Sequence, residues 1–214
     1  MTSNCGEVLP YLAFVLFRVP LPLTIIQILA IDLGTDMFPA LALGAEPPAE
    51  DTMRRPPRPK GERLLSLQVL VRAYGVLGLV EGAAGLAAYA AVLHGGGWHR
   101  GMPLVSSDPI YAQATTAYLG GIIALQMVAV FLCRHETQSI FKQGLFGNPM
   151  LLAGVGLEAL MLLTLNYAPP IQGLLGTATV PVVGWWILLP FILLMVALEE
   201  FRKARTRALK MVLH

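Results

Sequence analysis

Apolar residues gather into five runs, at about 8–43, 64–93, 113–133, 148–167 and 182–198, separated by shorter polar or proline-rich stretches. A helix needs about 20 apolar residues to cross a hydrocarbon core of ~30 Å, and the later runs meet that length. The first run is too long for one crossing, and Arg18-Val19-Pro20-Leu21-Pro22 interrupts it. Two prolines beside a charge cannot carry a helix onward, since neither offers the N–H that the next turn requires. They mark a hairpin tip. The pattern therefore predicts an all-α bundle of six membrane segments, at about 3–17, 24–43, 64–93, 113–133, 148–167 and 182–201. Loops 44–63 and 134–147 join the second segment to the third and the fourth to the fifth.

Composition agrees with that reading. Of the 214 residues, 56% are hydrophobic and only 13% are charged, against roughly 25% charged in a soluble domain. Where the charges sit matters more than the net +2. Arg54, Arg55, Arg58, Lys60 and Arg63 occupy the first loop, Arg134 and Lys142 the second, and Arg202, Lys203, Arg205, Arg207 and Lys210 the tail. The other connections hold only Arg18 and Arg100. The positive-inside rule then assigns both loops and both termini to the cytoplasm of a multi-pass cell-membrane protein, as an even number of crossings demands. Glu7 stands where a secretory leader would be basic, and no small-residue cleavage site follows, so no cleaved leader is expected. Cys5 and Cys133, far apart in or beside apolar runs, read as small packing residues and not as a disulfide.

The first segment is short. Fifteen residues, Ser3 to Phe17, rise roughly 22 Å against a core of ~30 Å. Either this helix tucks under its neighbours, or the chain is the end of something longer.

Glu7, Asp32, Asp36, Glu81 and Glu158 all fall inside the expected spans. A carboxylate at the bilayer centre costs about 2.5–3.5 kcal/mol, so each calls for a partner, a proton or an ion. Asn4 and Glu7, three apart, share one face of the first helix; Asp32, Thr35 and Asp36 share one face of the second. A hairpin brings those faces together. Five oxygen-bearing side chains then suit a hard cation, whether alkali, alkaline-earth or hydronium. Gly34 and Pro39 weaken the second helix there, which can free backbone carbonyls for the same purpose. The alternative is that the acids are protonated and serve as interhelical hydrogen-bond donors. Glu81 and Glu158 read as isolated, and Gln126, in the fourth segment, reads alone as a helix-contact residue. The small residues of "GLVEGAAGLAAYAA" (78–91) predict close helix packing, with a subunit contact as the alternative. No Walker motif, zinc spacing, nucleophile elbow or nucleic-acid signature occurs.

"TSNCGEVLP", "PLPLTIIQILAIDLGTDMFPALALGAE" and "DTMRRPPR" together resemble the membrane part of a type II P-type cation-transporting ATPase. The likeness begins midway along that family's fifth membrane helix. It continues through "RAYGVLGLVEG" (seventh helix), "QMVAVFLCRHETQSIFKQG" (eighth), "LEALMLLTLNYAPP" (ninth) and "WW…EEFRKARTR" (tenth and tail), covering essentially the whole chain. It implies that Asn4 and Glu7 match fifth-helix ion ligands, that Asp32, Thr35 and Asp36 match sixth-helix ligands, and that Gln126 matches an eighth-helix ligand. Asp32 and Gln126 are the residues found in sodium/potassium-type pumps, where calcium pumps carry asparagine and glutamate. Sodium, potassium or proton is therefore the expected cargo rather than calcium. Ala129 departs from that pattern, standing where the sodium pump has a further aspartate for a third ion.

The family's phosphorylated aspartate, nucleotide domain, actuator domain and first four helices have no counterpart in the 214 residues. The expectation is a fragment that supplies most of an intramembrane cation site and is no enzyme by itself. Its partners would be the bilayer and a catalytic half that uses Mg-ATP, in cis or in trans. The alternative is a stand-alone or split-gene module, cation-conducting or subunit-binding, derived from such a pump.

Overall fold

A computed structural model of the chain describes residues 2–46, 65–99, 101–102, 104–142, 144 and 146–212. The basic residues of the expected loop 44–63 lie outside them. Helices and short connections make up the described residues, with no strand among them. They are α1 (Thr2–Phe17), α2 (Ile25–Gly44), α3 (Leu67–Gly95), α4 (Pro109–Cys133) and α5 (Pro149–Tyr167). Then follow α6 (Pro169–Leu175), α7 (Val182–Trp186) and α8 (Leu189–Val212). Five stretches are long and apolar enough to cross a membrane: α2, α3, α4, α5 and the α7–α8 stretch from Val182 to Leu209. Helix α1, with 16 residues, is not among these five, so the count is one fewer than the six segments expected. Large apolar side chains such as Val15, Ile25, Leu33, Leu193 and Phe201 face outward, as a lipid-bathed surface requires.

Local chemistry sets the helix starts. The Asp108 carboxylate accepts from the Ile110 N–H at 2.9 Å, and Pro109 occupies the first turn, where no N–H is needed. This cap starts α4 four residues before the expected 113. Asn148 and Pro149 do the same for α5, with the Asn148 amide oxygen 3.0 Å from the Leu151 nitrogen. Thr24 and Gln27 form a reciprocal capping box at the start of α2. The last segment is not the continuous helix expected over 182–201. Pro190 cannot donate to the Trp186 carbonyl, and the chain breaks between α7 and α8. Helix α8 then runs on to Val212 through residues of high helix propensity. Between α5 and α7 lies α6, closed by Gly176 in the left-handed region at φ 64°.

Helix α4 is the axis of the bundle, with Tyr118, Leu119, Ile122, Ile123 and Leu125 all buried. Small residues let its neighbours close on it. A Cβ at Gly85 would lie 3.0 Å from Cε2 of Tyr118, and one at Gly121 would lie 3.0 Å from the Gly85 Cα. The 78–91 stripe is thus used for packing inside the chain, as the sequence suggested. Tyr89 of α3 and Tyr111 of α4 donate to the carbonyls of Pro20 and Leu21 at 2.8 and 2.9 Å, which pins the α1–α2 hairpin tip. Cys5 and Cys133 are free.

At the opposite end, Glu46 ties α2 to the segment after α4 and to the α5 cap. It accepts from Arg134 at 2.7 Å and from Asn148 at 2.6 Å. Burial alone would raise the Glu46 carboxyl, but the hydrogen bonds from Arg134 and Asn148 and the guanidinium charge hold it below its ordinary 4.5. A depressed carboxyl stabilises the fold fully above its unfolded value, and that contribution is lost as pH falls through the folded value. Glu46→Gln should therefore flatten the acid limb of thermal stability, read in detergent from about pH 7 to about pH 3. An acid limb that Glu46→Gln leaves unaltered would remove this linkage.

Candidate functional site

Midway along α2 the helix widens into a π-turn over Ile31–Thr35, where the Asp36 N–H reaches the Ile31 carbonyl at 3.1 Å. Such turns place one extra residue in the helix and re-aim the side chains around it. At Gly34 a side chain of α5 closes on this turn: a Cβ there would fall 2.3 Å from the Met161 methyl. Four residues after Thr35, Pro39 has no N–H to offer the Thr35 carbonyl. The weak point expected at Gly34 and Pro39 is thus a π-turn, not an unwound segment.

Asp36 is the hub of the site. Ser3 of α1 donates its hydroxyl to Oδ2 at 2.6 Å, and the Gln126 amide of α4 donates to Oδ1. The Thr35 hydroxyl lies 3.0 Å from the Ile31 carbonyl and 3.3 Å from Gln126 Oε1, both acceptors for its single proton. Thr35, Asp36 and Gln126 therefore form one hydrogen-bonded chain that α1 joins through Ser3. Glu7 is half-buried beside Asp32, and its Oε1 has no hydrogen-bond partner among the described residues. Asn4 and Asp32 are exposed at the edge of the group, and Asn4 makes no side-chain hydrogen bond among the described residues.

Two further carboxyls flank the hub. Glu81 of α3 is fully buried against α1, with Oε1 close to Gly6, and Glu158 of α5 is fully buried near enough to Asp36 for their charges to interact. Neither has a hydrogen-bond partner among the described residues. No Lys, Arg or His side chain pairs with any of these five carboxyls among the described residues. Nor do three His, Cys, Asp or Glu side chains there converge in a geometry that would hold a metal ion unaided. Amide and hydroxyl groups of Gln126, Ser3 and Thr35 complete the grouping.

Ser3 escaped the sequence reading. Its signal was its position four residues before Glu7, on the same helical face. Backbone geometry completes the α1 side. Pro10 removes the N–H that would bond the Gly6 carbonyl, and the buried Tyr118 hydroxyl of α4 donates to that carbonyl instead. A cavity of about 250 Å³ opens onto the hub between α1, α2 and α4, with Ser3, Asp36, Gln126 and Ala129 in its wall.

Comparison with known proteins agrees with this architecture. The family model described as "Cation transporting ATPase, C-terminus" matches residues 20–205. The sodium/potassium-transporting ATPase subunit alpha-4 of Rattus norvegicus is 32% identical over 228 aligned residues, which take in 95% of this chain and 22% of the relative. Subunit alpha of Drosophila melanogaster is 32% identical with the same coverage. Subunit alpha-2 of Gallus gallus is 31% identical, again over 95% and 22%. The chain thus spans about a fifth of the length of these relatives. It belongs to the cation-transporting ATPase C-terminal family: a multi-pass cell-membrane protein that corresponds to the C-terminal membrane region of a P-type cation pump.

Proposed function

We propose that this chain forms the cation-translocating membrane portion of a P-type ATPase and that its cargo is a monovalent cation. The observation that carries the reading is the Asp36 hub. One intramembrane carboxylate is linked through Ser3 and Gln126 to two other helices and has no basic side chain to neutralise it among the described residues. A carboxylate without a basic side-chain partner in a low-dielectric bundle attracts a cation or a proton. Glu7, Asp32 and Asp36 would supply charge, and Asn4, Thr35 and Gln126 neutral oxygens. The resemblance to sodium/potassium pumps at Asp32 and Gln126 favours sodium, potassium or proton over calcium. Asn4 and Asp32, exposed in this chain, form the open side that a helix from the rest of the pump would cover. ATP hydrolysis would belong to that other portion, acting in cis or in trans, and would change the relative tilt of α1, α2 and α4 around the hub.

The test is phosphoenzyme turnover of the assembled pump, titrated with sodium, potassium, calcium and pH. Dependence on a monovalent cation, weakened by Thr35→Ala and by Gln126→Ala, is the expected result. Calcium dependence would overturn the cargo assignment. Cation dependence that neither substitution alters would remove these residues from the site.

A further inference from the structure

The hub leaves unused a second charged cluster, at the end of the bundle that the positive-inside rule assigns to the cytoplasm. There Arg72 of α3 and Arg202 of α8 both bind one carboxylate, Glu199, at 2.7 Å each. Glu199 is 1% exposed, whereas the two arginines remain 21% and 30% exposed. Arg72 uses Nε and Nη2 on Glu199, and Arg202 uses the same two atoms on Glu199 and the Glu136 carbonyl. Neither Nη1 has a partner among the described residues. Behind them the buried Lys203 amine also lacks a hydrogen-bond partner there. The neighbouring Glu200 carboxylate is occupied by the Ile140 N–H at 2.8 Å, and Arg207 by the Thr137 carbonyl at 2.6 Å. Cationic groups therefore outnumber carboxylates at this spot.

These guanidiniums border an apolar groove of about 440 Å³ between α3 and α8, walled by Leu67, Val71, Val76 and Leu198. Within a membrane such a groove meets hydrocarbon, and its basic rim meets the headgroup layer. We propose that it is a binding site for one anionic phospholipid. The phosphate takes the free Nη1 donors of Arg72 and Arg202, and the first part of an acyl chain lies against Val76 and Leu198. Charge complementarity selects the occupant: planar guanidiniums match phosphate oxygens, and basic pockets between cytoplasmic helix ends recruit acidic lipids. A zwitterionic lipid carries its own ammonium into the same field and gains less.

The test is native mass spectrometry of the full chain, released from mixed micelles holding equal phosphatidylglycerol and phosphatidylcholine of matched acyl chains. Retention of one phosphatidylglycerol, favoured about tenfold, is expected. Arg72→Gln with Arg202→Gln should bring the ratio to parity. Val76→Trp fills the groove without touching the charges and should lower retention of both lipids, which keeps the proposal testable if the double variant does not fold. Equal retention of the two lipids by the unaltered chain would overturn it. So would displacement of the lipid by millimolar inorganic phosphate, or a chain dimer formed in place of the lipid adduct.

Discussion

Asp36→Asn is expected to lower the apparent cation affinity of the assembled pump by two to three orders of magnitude while leaving the bundle folded. The substitution separates charge from shape. An asparagine at 36 keeps an oxygen for the Gln126 amide, and the Ser3 hydroxyl can reverse to accept from the new amide nitrogen, so both helix contacts survive. What is lost is the negative charge. Removing one partner of a buried charge pair costs roughly 3–5 kcal/mol, and about 1.4 kcal/mol is a factor of ten in affinity. Cation-dependent phosphoenzyme turnover would report that loss, and the melting temperature of the purified chain would report the fold. Ser3→Ala is the contrasting case. It removes one hydrogen bond and no charge, so affinity should fall by about tenfold or less. An Asp36→Asn pump with unaltered cation dependence would take Asp36 out of the transport path.

Gly85→Leu is expected to produce the largest loss of stability in the bundle. Its first added carbon would already press on Tyr118, and the remaining atoms would have to push α4 away. Overpacking a well-filled core costs about 1–3 kcal/mol, occasionally more. A displaced Tyr118 would also release the Gly6 carbonyl, adding about 1–3 kcal/mol for a buried unpaired acceptor. The measurement is thermal unfolding of the detergent-purified chain, with recovery of monodisperse protein as a second readout. Gly156→Ala provides the control. A Cβ there meets nothing within 4 Å, and alanine favours helix over glycine by roughly 0.5–1 kcal/mol. Equal melting of Gly85→Leu and the unaltered chain would contradict the close approach of α3 and α4.

Much of this arrangement is legible in the sequence. Apolar runs and the Pro20–Pro22 interruption located the hairpin, and spacing alone put Thr35 and Asp36 on one helical face. Asp-Pro and Asn-Pro pairs carry their own start signals, yet the apolar run that marks α4 begins four residues after its first turn. Hydropathy responds to the apolar run and not to the cap that precedes it. The break before α8 was missed for a related reason: Pro190 sits in a uniformly apolar stretch, and only its missing N–H marks the interruption. At the site, periodicity could group residues within a helix but could not say which of them face a neighbour. Periodicity groups Asn4 and Asp32 with Thr35 and Asp36 alike, whereas in the fold the first two are exposed, Asp32 beside Glu7 of α1. Glu81 and Glu158 looked isolated for the converse reason. Their neighbours lie on other helices, at sequence separations that no local pattern encodes.

The bond from Tyr118 to Gly6 limits how α1 can move. Its acceptor is a main-chain carbonyl left unpaired by Pro10, so the contact depends on the axial register of α1 and on no side chain of that helix. Sliding α1 along α4 by one residue, about 1.5 Å, would strand the carbonyl in an apolar interior. Pivoting about the contact would not. Any movement of α1 that keeps this bond is therefore a rotation about Gly6, with Ser3 and Glu7 on either side of the pivot.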